Sequence, residues 1–532
     1  MGGARQKHSH QTQSNAILFG QPAGLWVLAS FEALERFSYY AMRSLLILYL
    51  LELLASESTW SSNSQPHIIG IELIRLVFSK PDTSSDKEIG QLASSLYGLY
   101  TSIAYLLSPL AGLIADRVTG QTKLILSGAG VISIGHIMLA FKRTFFIGLL
   151  FVASGTALVK PNVSTQIGML FRGDQELEKQ RAFSIFYVFI NLGAFISPLV
   201  AGALHESLGF GPAFLSAACG MFLSLAAYVI GYRHLPPDAR TSQSPHPRPS
   251  ASLPSSSCAP AHHSASRQYE RLNGKSFLSD RTSRLLAIGI VCFHGVFFWA
   301  VYEQQGNSVQ RLFDEGVNRS LGNNVTIPAE YVQSLNPILI LVFTPLINCI
   351  WRKLAKRRNE PSELMKMALG TLIVAAAYGL LTIASAAGLQ MNMLWVCAAI
   401  VLWTTGELLT SPVALAWVTS SSASNAKSFS MALWLFSTGI GNWLAGLLGS
   451  LYVVERSCTF FGIVASVCAL NGGGWLLTRP LIEKLAPPQA EQVGEGEDDD
   501  ETDEEAVKLQ LREDYDENHD ETSRLRSEWS VR

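Results

Sequence analysis

The 532-residue chain predicts an all-α, polytopic membrane protein, with twelve transmembrane helices in two six-helix bundles. Three observations carry that prediction. Hydrophobic residues make up 48% of the chain and charged residues only 15%, with a mean hydropathy of +0.23, a balance unlike that of soluble enzymes. Apolar runs long enough to cross a bilayer recur twelve times. A Pro- and Ser-rich stretch divides those runs six and six.

In chain order, residues 1–15 are polar, and 1–20 predict a disordered cytoplasmic N-terminus. With no apolar h-region and cleavage site there, the first span is expected to act as the signal anchor. Residues 21–232 form the first bundle, with spans near 24–54, 90–116, 122–141, 145–170, 181–205 and 210–232. Residues 233–281, carrying Pro245-His-Pro-Arg-Pro249 and Ser255-Ser-Ser257, cannot bury a core and predict a disordered cytoplasmic linker. Within it Tyr269-Glu-Arg-Leu272 has the form of a tyrosine sorting signal. Residues 282–480 form the second bundle, with spans near 284–305, 331–352, 364–387, 392–419, 427–451 and 457–478. Residues 481–532 form an acidic cytoplasmic tail: from Pro487 onward there are 17 acids and 5 bases, against 25 and 35 in the rest of the chain.

An even span count places both termini on one side. Basic residues gather in the loops on that side, most densely in Trp351-Arg-Lys-Leu-Ala-Lys-Arg-Arg358, so that side is cytoplasmic. The opposite side then holds 56–89 and 313–329, and the second of these carries two glycosylation acceptors, Asn318 and Asn324. The seven cysteines fall mostly in apolar segments with no CxxC or His/Cys cluster, which predicts neither a metal site nor a disulfide framework.

The first span carries the densest chemistry, Glu32-Ala33-Leu34-Glu35-Arg36-Phe37-Ser38-Tyr39-Tyr40-Ala41-Met42-Arg43. Each ionisable group at the bilayer centre costs about 2.5–3.5 kcal/mol on insertion scales, so four in one helix mark a functional face. Glu32, Arg36, Tyr39, Tyr40 and Arg43 share that face at i, i+4 and i+7 spacing. Other spans add Lys160, Glu303 and Glu407. Four acids (Glu32, Glu35, Glu303, Glu407) then stand against three bases (Arg36, Arg43, Lys160), and the odd carboxylate in a wet cavity is a proton carrier by chemistry. Prolines 109, 161, 198, 337, 345 and 412 interrupt spans and are expected to bend or break them around a midplane site. No nucleophile–base pair points to an enzyme.

Eight ordered motifs resemble the proton-coupled oligopeptide transporters of the major facilitator superfamily. Gly112-Leu-Ile-Ala-Asp-Arg117, with Gly120 and Lys123, resembles the superfamily's loop between spans two and three. The family's E-x-x-E-R element is Glu32 to Arg36, its Y-x-[ST]-P is loosely met by Tyr105 to Pro109, and its K-P-N is Lys160 to Asn162. Phe186-Tyr-Val-Phe-Ile-Asn-Leu-Gly193, Phe298-Trp-Ala300, Ser334-Leu-Asn-Pro337 and Gly406 to Pro412 follow in family order. The resemblance spans about residues 25–478 and implies the major facilitator fold and a symporter of di- and tripeptides, with a proton gradient as energy source and no cofactor.

Residue by residue, it implies proton coupling by Glu32, Glu35, Arg36 and Lys160. It implies a basic patch of Arg43 and Lys160 for the peptide carboxylate and Glu407 for the ammonium, with Asn191 and Asn336 as amide partners and Ser411 in the same motif as Glu407. Tyr39, Tyr40, Tyr105, Trp299 and Trp434 are the implied aromatic walls, and Arg43 with Glu303 the implied gate. Departures are Tyr302, where the family often has a second acid, Gly98, where some members have a histidine, and a very short loop near 389–392. Partners are then di- and tripeptides, protons and the bilayer, with the chain acting as a monomer in a plasma or endolysosomal membrane. The competing readings are a proton-coupled carrier of nitrate or another small metabolite, and a transporter-shaped sensor or scaffold.

Overall fold

The computed structural model describes residues 17–58, 68–71, 74, 77, 85–171, 175–238, 280–322, 325–388, 390–422 and 427–487. Expectations about residues 1–16, 239–279 with the tyrosine motif, 488–532 and Asn324 lie outside the described residues. Ile17–Leu18 pair with Gln21–Pro22 and the last helix continues to Leu485, so regular structure reaches further into both ends than expected.

Among the described residues twelve helices are long and apolar enough to cross a membrane. They are α1 (Ala23–Ser58), α2 (Asp86–Ile114), α3 (Gln121–Leu139), α4 (Phe145–Met169), α5 (Glu176–Leu208) and α6 (Phe210–Gly231). In the second half they are α7 (Asp280–Tyr302), α8 (Val332–Lys356), α9 (Glu363–Ala386), α10 (Met393–Ser421), α11 (Lys427–Gly449) and α12 (Ser457–Leu485). Each expected span is present, with several helices running a turn further than their apolar runs because their polar ends reach the interfaces. All twelve belong to one unit, Met1–Leu485.

Local sequence sets where these helices begin. Ser85 caps α2 by accepting from the Glu88 amide at 3.3 Å, with Asp86 and Glu88 in the first turn. Ser362 and Asn392 cap α9 and α10 in the same way. The entry to α3 is capped from a distance: the Asp238 carboxylate accepts from the Thr122 amide at 2.9 Å and its hydroxyl at 2.8 Å. Gly120 is required there, since its φ is +87° and a Cβ would sit 2.5 Å from the same carboxylate.

The prolines do not break their helices. α2, α4, α5, α8 and α10 continue as helix through Pro109, Pro161, Pro198, Pro337, Pro345 and Pro412. The interruption falls instead at a proline-free site. α7 tightens into a 3-10 turn, Glu303–Gly306, before a short helix, Ser308–Glu315. Gln304 holds that turn from outside by donating to the Ala445 carbonyl of α11 at 2.8 Å. The segment after it is tied down by two-residue parallel strands, Val317–Asn318 and Met391–Asn392. Asn318 lies exposed on the first of them.

In the first half α1 packs on α5 and α6, and α3 on α4; in the second α9 packs on α10 and α12, and α7 on α11. The halves meet where α2 crosses α11 and where α5 meets α8. The first crossing is backbone against backbone: a Cβ on Gly98 would lie 2.4 Å from the Gly446 Cα, and one on Gly446 would lie 2.8 Å from the Gly98 Cα. This accounts for the departure at position 98, where no side chain fits in this conformation. Gly98→Leu is expected to destabilise the closed crossing by about 1–3 kcal/mol through overpacking, read as a lower melting temperature in detergent. An unchanged melting temperature would show that the crossing relaxes freely.

Candidate functional site

The helical period puts the charged residues of α1 on the face that looks between the two halves. Arg36 is shared by two carboxylates: its Nε lies 3.2 Å from Glu32 Oε1 and 2.5 Å from Glu35 Oε2. All three are buried, at 6%, 5% and 1% exposure, so each charge depends on its neighbour rather than on water. The guanidinium also lies over the Tyr39 ring at 5.1 Å.

Two turns on, Arg43 bridges the halves. Its Nη2 donates to Glu303 Oε2 at 2.9 Å, its Nε donates to the Tyr97 hydroxyl at 2.9 Å, and it lies over the Tyr40 ring at 5.7 Å. Glu303 is buried in the 3-10 turn, where the break in α7 turns it toward α1. Glu407 on α10 is held differently: Asn336 Nδ2 donates to its Oε2 at 2.8 Å and to Thr404 Oγ1 at 3.0 Å. Among the described residues neither Glu407 nor Lys160 forms an ion pair, and the Lys160 ammonium lies 3.9 Å over the Tyr105 ring. The pairing anticipated from charge counting therefore differs in detail. Arg36 serves two acids at once, which leaves Lys160 and Glu407 both uncommitted.

A cavity of about 110 Å³ lies between the halves, lined by Tyr40 and Arg43 of α1, Tyr105 of α2, Trp299, Tyr302, Glu303 and Gln305 of the broken α7 region, Gln333, Asn336 and Pro337 of α8, and Glu407 of α10. One wall carries the Arg43–Glu303 ion pair and another the Glu407 carboxylate, with aromatic rings between them. Seven of the residues singled out from sequence meet here: Tyr40, Arg43, Tyr105, Trp299, Glu303, Asn336 and Glu407. Five of those assigned to substrate stand back from it. Tyr39 packs edge-on to Tyr40, and Lys160 reaches the wall through Tyr105. Asn191 donates to its own helix at the Tyr187 carbonyl, Trp434 packs against Gly295 of α7, and Ser411 lies half-buried one turn beyond Glu407.

Tyr97, Tyr302, Gln305 and Gln333 were not singled out as site residues. They are neutral, so charge cost does not mark them. Their signal was position: Tyr302 and Gln305 flank Glu303, and Gln333 precedes Asn336 by three residues on the same face.

One end of the cavity is closed. Ser94 donates to Asn307 at 2.9 Å, Gln310 to the Ser44 carbonyl, Ser334 to the Phe195 carbonyl at 2.8 Å and Asn442 to the Thr101 carbonyl at 3.4 Å. These bonds join the halves on the side of the 313–329 loop, away from the helix ends at Ala23 and Leu485. Removing one partner of the central bridge should be costly. Arg43→Gln leaves Glu303 buried without a cation and is expected to cost about 3–5 kcal/mol, while adding Glu303→Gln recovers much of it. A double-mutant cycle of thermal unfolding that returned no coupling would contradict this.

Compared with known proteins, residues 122–462 match the family model described as the POT family. The chain is 28% identical over 500 residues to the uncharacterized transporter YclF of Bacillus subtilis, covering 88% of this chain and 95% of that protein. It is 26% identical over 515 residues to a di-/tripeptide transporter of Lactococcus lactis subsp. cremoris, covering 89% and 98%. Among solved structures, a mutant of the peptide transporter POT crystallised in complex with alafosfalin superposes with a TM-score of 0.71 at 25% identity, covering 89% of this chain and 97% of that one.

Proposed function

The chain belongs to the POT family, a family of transporters with the major facilitator fold, and from its cavity we propose that it is a proton-coupled symporter of di- and tripeptides working by alternating access. The single observation that carries this reading is the cavity's polarity. Arg43 stands on one wall and Glu407, which forms no ion pair among the described residues, on another. A zwitterionic peptide presents the complementary pair of charges. Its ammonium completes Glu407 and its carboxylate meets the cationic side, Arg43 and, past Tyr105, Lys160. The rings of Tyr40, Tyr105, Trp299 and Tyr302 give apolar surface that accepts varied side chains.

Proton coupling is assigned to the Glu32–Arg36–Glu35 cluster together with Lys160, whose charge acts on Glu32 from α4. Two carboxylates on one guanidinium leave an excess negative charge in a buried site, and a proton on either carboxylate removes it. Peptide and proton sites share α1, so occupancy of one alters the charge balance felt at the other. The basic loop 352–358 supports a reading with both termini and the linker in the cytoplasm and the closed side extracellular or lumenal.

Glu407→Ala is expected to weaken binding of a free-amine dipeptide by roughly 10- to 150-fold, the worth of about 1.5–3 kcal/mol for a charge-assisted hydrogen bond, and to affect its N-acetylated analogue far less. Equal losses for the two ligands would remove Glu407 from ammonium recognition. Glu35→Gln should abolish concentrative uptake in proteoliposomes while retaining counterflow exchange, because exchange needs no net proton cycle. Gradient-driven accumulation by this variant would take Glu35 out of coupling.

A further inference from the structure

A second acid–base pair, with a buried carboxylate and a half-buried imidazole, joins the halves outside the cavity. His205, near the end of α5, places Nδ1 2.7 Å from Glu330 Oε1 in the 3-10 turn Ala329–Tyr331 that leads into α8. Glu330 is 1% exposed, whereas the His205 side chain retains 25%, so the imidazole edges toward the closed-side water and the carboxylate does not. Phe210 of α6 stacks on the imidazole at 3.8 Å with a 30° interplanar angle and fixes its plane. One turn back, Gly202 lets Tyr331 and Pro328 approach, since a Cβ there would lie 3.0 Å from the Tyr331 ring. The contact is therefore a built joint between α5 and the entrance of α8.

The charged groups that face this joint are mostly acidic. Glu206 lies on the same helix, Glu52 on α1, and Asp314 on the short helix after α7. Arg319, a cation on that side, is engaged by Asp314 at 2.8 Å. Glu330 has no ion-pair partner but His205 among the described residues. A carboxylate this deeply buried is costly unless a proton or a cation accompanies it.

We propose that His205 and Glu330 form a proton-binding latch on the closed side, distinct from the coupling cluster on α1. With the halves together, the pair shares one proton across a hydrogen bond. When α5 and α8 part, both groups meet water, and a free imidazole gives up its proton above about pH 6.5. The proton is taken up from the closed-side water on closure and returned to the same side on opening. The latch thus links closure to acidity without itself carrying a proton across. It rests on the alternating-access reading, and it adds a device that favours closure of the gate when the outer face is acidic.

The test is a distance measurement in lipid nanodiscs, with spin labels carried by non-canonical residues at Leu208 and Leu451, both exposed on the closed side. In the otherwise native protein the closed-to-open ratio should fall as pH rises from 6 to 8, by up to about tenfold per pH unit for one linked proton. His205→Gln, which retains a hydrogen-bonding side chain but cannot titrate in this range, should flatten that dependence, and Glu330→Gln should do the same. Dipeptide binding measured on the same variants keeps the two readings apart, since a flat profile with intact binding touches only the latch and lost binding touches only the cavity. A native ratio that does not change with pH overturns the proposal. So does a pH dependence that persists unaltered in His205→Gln or, should that variant not fold, in Glu330→Gln.

Discussion

The ion pair between Arg43 and Glu303 is the constraint on which the rest of this structure depends. Each charge is buried, and each comes from a different half, so neither half satisfies its own. Separating the halves leaves both groups to find water or ligand, and closing them restores the pair. The broken end of α7 exists in these terms to present Glu303 to α1, and the glycine crossing of α2 and α11 exists to let the backbones come close enough for the pair to form. Hydrogen bonds from Ser94, Gln310 and Ser334 then seal the same side. None of them replaces a buried charge, so they add to closure without defining it.

The cavity beneath this pair inherits its polarity from the same arrangement. Arg43 faces both the gate and the cavity, so a ligand carboxylate drawn to it competes with Glu303 for one guanidinium. Glu407 is held in place by an amide instead of a cation, so its negative charge stays available. A ligand with both charges meets both demands, and a simple anion would leave Glu407 unanswered. This is the physical reason for preferring a zwitterionic substrate to nitrate.

Much of the fold was legible in the sequence because bilayer spans are long apolar runs with charged ends, and all twelve appear. The chemistry of α1 was legible for the converse reason: Glu32, Glu35, Arg36 and Arg43 break an apolar run at a cost that only function explains. What was not legible follows from interactions that leave no such mark. The prolines suggested breaks, but helices between packed neighbours continue through them, and the interruption at Glu303–Gly306 is held by Gln304 reaching a carbonyl on α11. Counting charges anticipated one odd carboxylate and missed that Arg36 serves two. Gln333 and Tyr302 line the cavity, yet neutral residues on an apolar helix resemble packing. Gly98 looked like a departure, and only the distance to Gly446 shows why a side chain is absent there.

The central claim is that peptide and proton cross together through this charge-bridged cavity. It is tested most directly by enclosing a pH-sensitive dye in proteoliposomes that start with no proton gradient, and then adding dipeptide outside. Symport predicts that the lumen acidifies in step with dipeptide entry, and that an N-acetylated, C-amidated analogue produces no acidification. Dipeptide entry with no change in lumenal pH, or acidification driven equally by nitrate, would contradict it.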